Sequence, residues 1–320
     1  MGRYILRRLV ISIPVLLLIT ITLFLLIELA PGDPISAMID PDQAAVMGPD
    51  WIEAQRRSLG LDEPLPVRYG IWLRETVQGN LGFSYLDRQP VSQKMGERIW
   101  PTIYLMTAAQ IIALVIAVPL GVLSAVRQYS KIDFSVTVLA FIAVSIPNFF
   151  LALGGIYLLG VKMGIVPTAG MGTMGSPAAM LDALHHLLLP ASVLGFSLAA
   201  PLIRFIRSSM LEVLHQDYVQ VARAKGLAER AVVIRHALRN SLIPVVTVVA
   251  LNLPNLVGGT VIVEVIFAWP GMGTLVLNAV RALDYPVIMA TNLVIAVAIL
   301  LANLLADVMY AVLDPRIRYS

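Results

Sequence analysis

The sequence predicts an all-α fold that passes repeatedly through a lipid bilayer, and three observations predict it. Of the 320 residues, 58% are apolar and only 13% are charged, with a mean hydropathy of +0.82. A soluble chain is nearer 45–50% apolar and about 25% charged. Six long windows lack any charged side chain: 9–27, 99–126, 134–161, 183–203, 240–263 and 285–306. Each approaches or exceeds the roughly 20 apolar residues that a helix needs to cross a hydrocarbon core. Lysine and arginine alternate in density between these windows, as they do when successive loops lie on opposite sides of a membrane.

Taken in order, the first span covers 1–30. Arg3, Arg7 and Arg8 precede it, yet its apolar run is longer than that of a cleaved leader and no clear small-x-small site follows before Pro31. It reads as an uncleaved anchor. A polar extracytoplasmic subdomain occupies 31–99. The remaining spans fall near 100–126, 134–160, 184–206, 241–263 and 286–310 within a transport core of 100–313, and 314–320 form a cytoplasmic tail. The uncharged stretches 163–181 and 265–280 are rich in Gly and Pro, which favour turns, and leave room for short re-entrant pieces. With the N-terminus inside, 14 of the 23 Lys and Arg lie in cytoplasmic pieces and two in short outer loops, so both termini face the cytoplasm.

The outer segment has helical punctuation of its own. Asp50 and Glu53 have the spacing of a capping box before a helix over 51–59, with Gly60 placed to stop it. A second helix runs from about 65 to before Gly79 with Val67, Ile71 and Trp72 on one face, and 79–84 form a turn. The segment serves as a cap on the spans, as a docking surface for an extracytoplasmic partner, or as both.

Between the fourth and fifth spans, 207–240 is too polar for lipid. Asp217 is placed to cap a short helix that Gly226 ends. A second helix follows, with Ile234, Ala237, Leu238 and Ser241 along one side and Arg235 and Arg239 along another. Ala222 and Ala224 are small enough for a partner's backbone to come close. By composition alone this is a basic loop drawn to anionic lipid.

The spacing says more. Gln220-Val221-Ala222-x-x-x-Gly226, with Pro244 eighteen residues on, resembles the "EAA" loop of ATP-binding-cassette importer permeases of the type I fold. The fuller string Asp217-Tyr218-Val219 through Ala222-Arg223-Ala224-Lys225-Gly226-Leu227 to Arg235-His236-Ala237-Leu238-Arg239-Asn240 resembles the dipeptide, oligopeptide and nickel branch. So do Ala30-Pro31-Gly32-Asp33-Pro34, the 79–84 turn, Gly258-Gly259 with Glu264 and Trp269-Pro270-Gly271-Met272-Gly273, and Leu313-Asp314-Pro315-Arg316. The departure lies at Gln220 and Val221, where the general motif has Glu and Ala, so no charge-based role passes to position 220.

The resemblance implies a pore-forming permease subunit in a bacterial inner membrane. Its loop would be a coupling helix seated on a cytoplasmic ATPase subunit, with Asp217, Tyr218, Ala222, Arg223, Ala224, Lys225, Gly226 and Leu227 forming the contact. It further implies a second homologous permease, two ATP-binding-cassette ATPase subunits and an extracytoplasmic solute-binding protein, with dipeptides, oligopeptides, glutathione or nickel chelates as cargo.

Other chemistry fares poorly. A phosphate-binding loop needs Gly-Lys, and the four lysines follow Gln93, Ser130, Val161 and Ala224, so that motif is absent. ATP and Mg are expected on the partners, and this chain is expected to hold no cofactor or metal and to have no catalytic residue. Gly195-Phe196-Ser197-Leu198-Ala199 has the form of an intramembrane serine protease motif but lacks a histidine base nearby; small residues that let helices pack explain it better. His185 and His186, near Met171, Met174 and Met180, diverge on a helix and lack a carboxylate to complete a metal site. Nucleic acid is not a partner at a net charge of +3. Asn252, Asn255 and Glu264 share one face of the fifth span, and with Asn148 they make a candidate polar path for a zwitterionic solute. A secondary transporter is the rival reading, but it has no need of a 217–227 element.

Overall fold

The computed structural model describes residues 2–29, 35, 47–173, 175, 179–251 and 261–313. The described residues are helical throughout, apart from turns and one isolated antiparallel bridge between Phe83 and Pro90. Four helices are long and apolar enough to cross a membrane, and a bent pair supplies a fifth crossing if its halves count as one. The fifth expected span, 241–263, includes 252–260, which lie outside the described residues. The chain divides into two compact units, one made of 1–100 with 271–301, the other of 101–270 with the residues from 302.

In the first unit, α1 (Gly2–Leu29) turns Leu6, Val10, Ile13, Leu18 and Leu26 outward, as a helix solvated by lipid does. Two short helices follow, α2 (Pro49–Ser58) and α3 (Leu65–Val77). The expected capping box is absent: Gly48 is the N-cap and Pro49 opens α2, so Asp50 lies inside the first turn, where it meets the positive end of the helix dipole. The predicted stop holds. Gly60 adopts φ +66°, and the amides of Gly60 and Leu61 bond back to Arg57 and Arg56.

The 79–84 turn is bolted to the C-terminal part of the same unit. Asp284, 1% exposed, accepts bonds from the Ser84 hydroxyl and from the Tyr85 amide at 3.0 Å. Arg68 pairs with both oxygens of Glu28 at 2.9 Å. Within the 265–280 stretch, where Gly and Pro favour turns but leave room for a short piece, a helix α12 (Met272–Arg281) forms. Met272, Leu275 and Ala279 recur at helical spacing and bury against Val91, Met95, Val287 and Ile288, and this apolar stripe outweighs the local glycines.

The second unit is built on α4 (Val91–Val126), whose inner part it contains, and on α7 (Ala179–Leu214). The expected span 134–160 is broken into α5 (Lys131–Ser145) and α6 (Asn148–Gly155), the latter running into a π-helical turn, Ile156–Lys162; the halves meet at 95°. Pro147 is the cause. It forces Ile146 out of helical geometry (φ −84°, ψ 119°) and then caps the next helix. Close packing of α4 and α7 relies on glycine: a Cβ on Gly195 would stand 2.7 Å from Ile112 Cγ2, and one on Gly121 would stand 2.8 Å from Ile206 Cγ2.

Candidate functional site

The most organised polar element is the segment after α7. A short helix, α8 (Asp217–Ala224), begins after Gln216, which is the N-cap and makes no side-chain bond. Asp217 is therefore not the cap that the sequence reading expects. It occupies the first helical position, where a carboxylate favours the dipole. Gly226 does end the helix. At φ +75° its amide bonds to Arg223 O at 2.9 Å and that of Leu227 to Ala222 O at 3.4 Å, the two-bond stop that a left-handed residue allows.

The return is made by α9 (Glu229–Ala231), a π-helical stretch Val232–Leu238, and α10 (Arg239–Leu251). The inward face consists of Val232, Val233, Ala237 and Ser241, whereas Ile234 is exposed. The wider π turn shifts the register from the side assigned on a 3.6-residue period.

Burial sorts the α8 residues into two groups. Val219 and Ala222 face inward and pack in the core with Leu214, Val232 and Ala237. Ala222 is thus a packing residue of this chain and not a place of close approach for a partner. Outward stand Asp217, Tyr218, Val221, Arg223, Ala224, Lys225 and Leu227. Val221, which carries no role in the sequence reading, is 52% exposed, and Tyr218 and Leu227 are exposed as well. Its exposure could not be read until the inward face of α8 was known.

The element is braced at several points. Arg223 spans the Gly226 turn to Glu229, with Nη2 to Oε1 at 2.7 Å and Nε to Oε2 at 3.1 Å. That bond holds the Glu229 carboxyl below the usual carboxylate range and raises the guanidinium. Asn240 donates to the Tyr218 hydroxyl at 2.8 Å. At the base, Ser209 donates to Ser241 O at 2.9 Å, and Ser241 donates to Met210 Sδ, so α7 and α10 are joined through buried hydroxyls. A short helix held this way is tied rigidly to the helices beneath it, as a slack loop is not.

Of the proposed path residues, Asn148 and Glu264 stand on two short helices that pack against each other. Glu264, on α11 (Val261–Ile266), is fully buried and accepts a bond from Thr102 at 2.9 Å. Beside it, Trp269 donates its indole N–H to Pro101 O at 2.9 Å. Glu264 is thus enclosed by protein in this conformation. Asn148 is half-buried at the start of α6 and accepts the Ser197 hydroxyl. Asn252 and Asn255 lie outside the described residues.

The Ser197–Asn148 bond bears on the protease reading, because an amide oxygen is no general base. His185 and His186 each donate to a backbone carbonyl, those of Ile165 at 2.7 Å and Asp182 at 2.9 Å. Among the described residues no group of three or more His, Asp or Glu is placed to hold a metal.

The fold and this braced element define a helical, multi-pass membrane protein with a rigid polar hairpin between spans. The chain belongs to the family described as the binding-protein-dependent transport system inner membrane component, which matches residues 117–319; the N-terminal component of the same systems matches 1–106. It is 48% identical over 322 residues, the whole of both chains, to a Brucella suis biovar 1 protein named as a peptide permease. It is 45% identical over all of both chains to the oligopeptide transport system permease protein AppB of Bacillus subtilis strain 168. The glutathione transport system permease GsiC of Escherichia coli O6:H1 is 37% identical, again end to end. In fold it resembles the inward-facing MetNI methionine ABC transporter, with a TM-score of 0.57 at 18% identity over 70% of this chain and 97% of that one. The chain is accordingly an inner-membrane permease of an ATP-binding-cassette importer, in which ATP hydrolysis belongs to separate subunits and a substrate-binding protein delivers the cargo.

Proposed function

We propose that this permease carries dipeptides and oligopeptides inward across the cytoplasmic membrane by alternating access. The observation that carries the cargo assignment is similarity along the entire chain. The relatives at 48% and 45% are named for peptides or oligopeptides, whereas the glutathione permease stands at 37%. The chain works with a second, homologous permease, two ATPase subunits and an extracytoplasmic binding protein. It crosses the bilayer six times with both termini inside. It binds no cofactor itself; ATP and Mg reside on the ATPase subunits.

Asp217, Tyr218, Arg223, Ala224, Lys225 and Leu227, with Val221, present the surface that the ATPase moves. Gly226 and the inward-facing Ala222 give that surface its shape. Exposed apolar residues on a braced helix fit a protein groove, since rigid elements lose little entropy on docking. Asn148, Asn252, Asn255 and Glu264 belong to the translocation path, with Glu264 shut away in the conformation described. The outer 31–99 segment receives the binding protein.

Uptake of labelled dipeptides, longer peptides and glutathione into cells holding or lacking the chain tests the cargo. ATP-dependent peptide uptake that vanishes on deletion supports the reading. Loss of glutathione uptake alone would transfer the chain to that branch, and uptake that survives nucleotide depletion would remove it from ATP-driven transport.

A further inference from the structure

Two arginines sit three residues apart on α7 and meet opposite fates. Arg207 is neutralised by Asp133 through two bonds of 2.7 Å. Arg204, one turn closer to the membrane interior, has no carboxylate partner among the described residues. Its guanidinium lies over the Phe141 ring at 5.1 Å and is otherwise open. Arg204 stands at the inner end of the 184–206 span, and an unpaired cation within a span generally faces a bundle interior or a water-filled cavity, where it marks the route of a solute.

An open cavity of about 500 Å³ lies beside Arg204, lined by Val144, Ser197, Pro201, Arg204 and Phe205. The α7 residues fall at i, i+4, i+7 and i+8, a single stripe of the helix. The cavity abuts the end of α5 close to the Pro147 break, and Ser197 at its rim is bonded to Asn148 on the far side of that break. Pro201 adds a second polar feature, because it has no N–H to give the Ser197 carbonyl four residues earlier. The cavity thus offers one fixed cation, a hydroxyl, a backbone acceptor and two apolar walls.

We propose that Arg204 reads the C-terminal carboxylate of a peptide in transit, the Ser197 side of the cavity receiving the adjoining backbone N–H. This rests on the peptide reading given above and deepens it. A guanidinium fork matches a carboxylate by two parallel bonds. The C-terminal carboxylate is also the one anionic group common to unmodified peptides of any side-chain composition, and Val144 and Phe205 demand nothing specific of the neighbouring side chain.

The test uses the complete importer in proteoliposomes, with its binding protein, comparing ATP-driven uptake of a labelled tripeptide with that of its C-terminal amide. Selection by the binding protein is the same for every variant, so a changed acid-to-amide ratio reports the membrane step. The ratio is expected to fall about tenfold in Arg204→Gln, the loss lying in the acid arm, and to be only partly retained in Arg204→Lys, which keeps the charge and loses the two-bond fork. An unchanged ratio in Arg204→Gln, or an equal fall in both arms, would overturn the proposal and make Arg204 a packing residue. Wild-type uptake that tracks the anionic lipid content of the vesicles, with Arg204→Gln indifferent to it, would instead assign the arginine to a lipid phosphate and overturn it also. Absence of ATP-driven peptide uptake by the wild type would sink the peptide reading itself, a result separate from all of these.

Discussion

Asp133 and Arg207 face each other squarely, Oδ1 on Nε and Oδ2 on Nη2 at 2.7 Å, and so tie the first turn of α5 to the lower part of α7. The carboxylate is 4% exposed and also takes the Ser124 hydroxyl and the Tyr129 amide at 2.9 Å. That amide belongs to a residue at φ +61°, so the same group fixes the strained turn between α4 and α5. Removing one partner strands the other. Arg207→Ala should destabilise the chain by about 3–5 kcal/mol and Asp133→Ala by a comparable amount, with the double variant far less than additive. Thermal unfolding of the detergent-solubilised protein checks this, and additive losses would show that the two residues act independently.

The turn at Gly226 gives a second prediction. A Cβ there meets nothing within 4 Å, so the cost of substitution is purely one of backbone conformation. Gly226→Asp should abolish ATP-driven uptake while the subunit still inserts, because the α8 patch loses its orientation relative to α10. Gly226→Asn should be milder, since Asn tolerates the left-handed region better than other residues. Uptake compared with membrane abundance for each variant decides it, and normal uptake by the Asp variant would remove the coupling role.

Four of the six expected spans and the polar hairpin are legible in the sequence because both are written locally. A gap such as 285–306 without charge, or a glycine after Asp217–Ala224, signals its structure within one turn or one span. What escaped notice depends on partners distant in sequence or on backbone departures from the ideal helix. Asp133 and Arg207 are 74 residues apart, and neither betrays the other by spacing. Ile234 shares a side with Ala237 and Ser241 on a regular period, which the π-helical stretch does not keep. Pro147 was visible, but a proline within an apolar window is compatible with a kink as well as with a 95° break. Ala222 looked like a place for a partner, yet only the packing with Val232 and Ala237 shows that its own chain fills that space.

Acid should loosen the hairpin. Glu229 has its pKa lowered by the bond from Arg223, so its protonated form is favoured more in the unfolded turn than in the folded one. The contribution of the pair is therefore complete above the ordinary value of 4.5 and is lost as pH falls through the lowered value in the folded turn. Both side chains are well exposed, so the effect is local and small. A spin label at Ala228 should become more mobile over that window in the wild type. In Glu229→Gln it should be mobile at neutral pH and insensitive to acid; an identical profile in both proteins would rule out the pair as the brace.

Two glycines separate close packing from mere proximity. At Gly195 an added Cβ would lie 2.7 Å from Ile112 Cγ2, 2.8 Å from Ile112 Cβ and 3.1 Å from the Ala109 carbonyl oxygen. The last two atoms cannot move without moving α4. At Gly155 the near neighbour is Leu189 Cδ1 at 2.9 Å, the free end of a flexible side chain, and the next atom is at 3.7 Å. Gly195→Ala should therefore cost about 1–3 kcal/mol, as an overpacked core does, and Gly155→Ala much less, since Leu189 can turn aside and alanine favours helix by up to about 1 kcal/mol. Ile112→Ala added to Gly195→Ala should recover only part of the loss, because it removes Cγ2 and leaves Cβ and the Ala109 carbonyl in place. Unfolding midpoints of the three variants provide the comparison, and equal shifts for Gly155→Ala and Gly195→Ala would mean that α4 and α7 are not in backbone-limited contact.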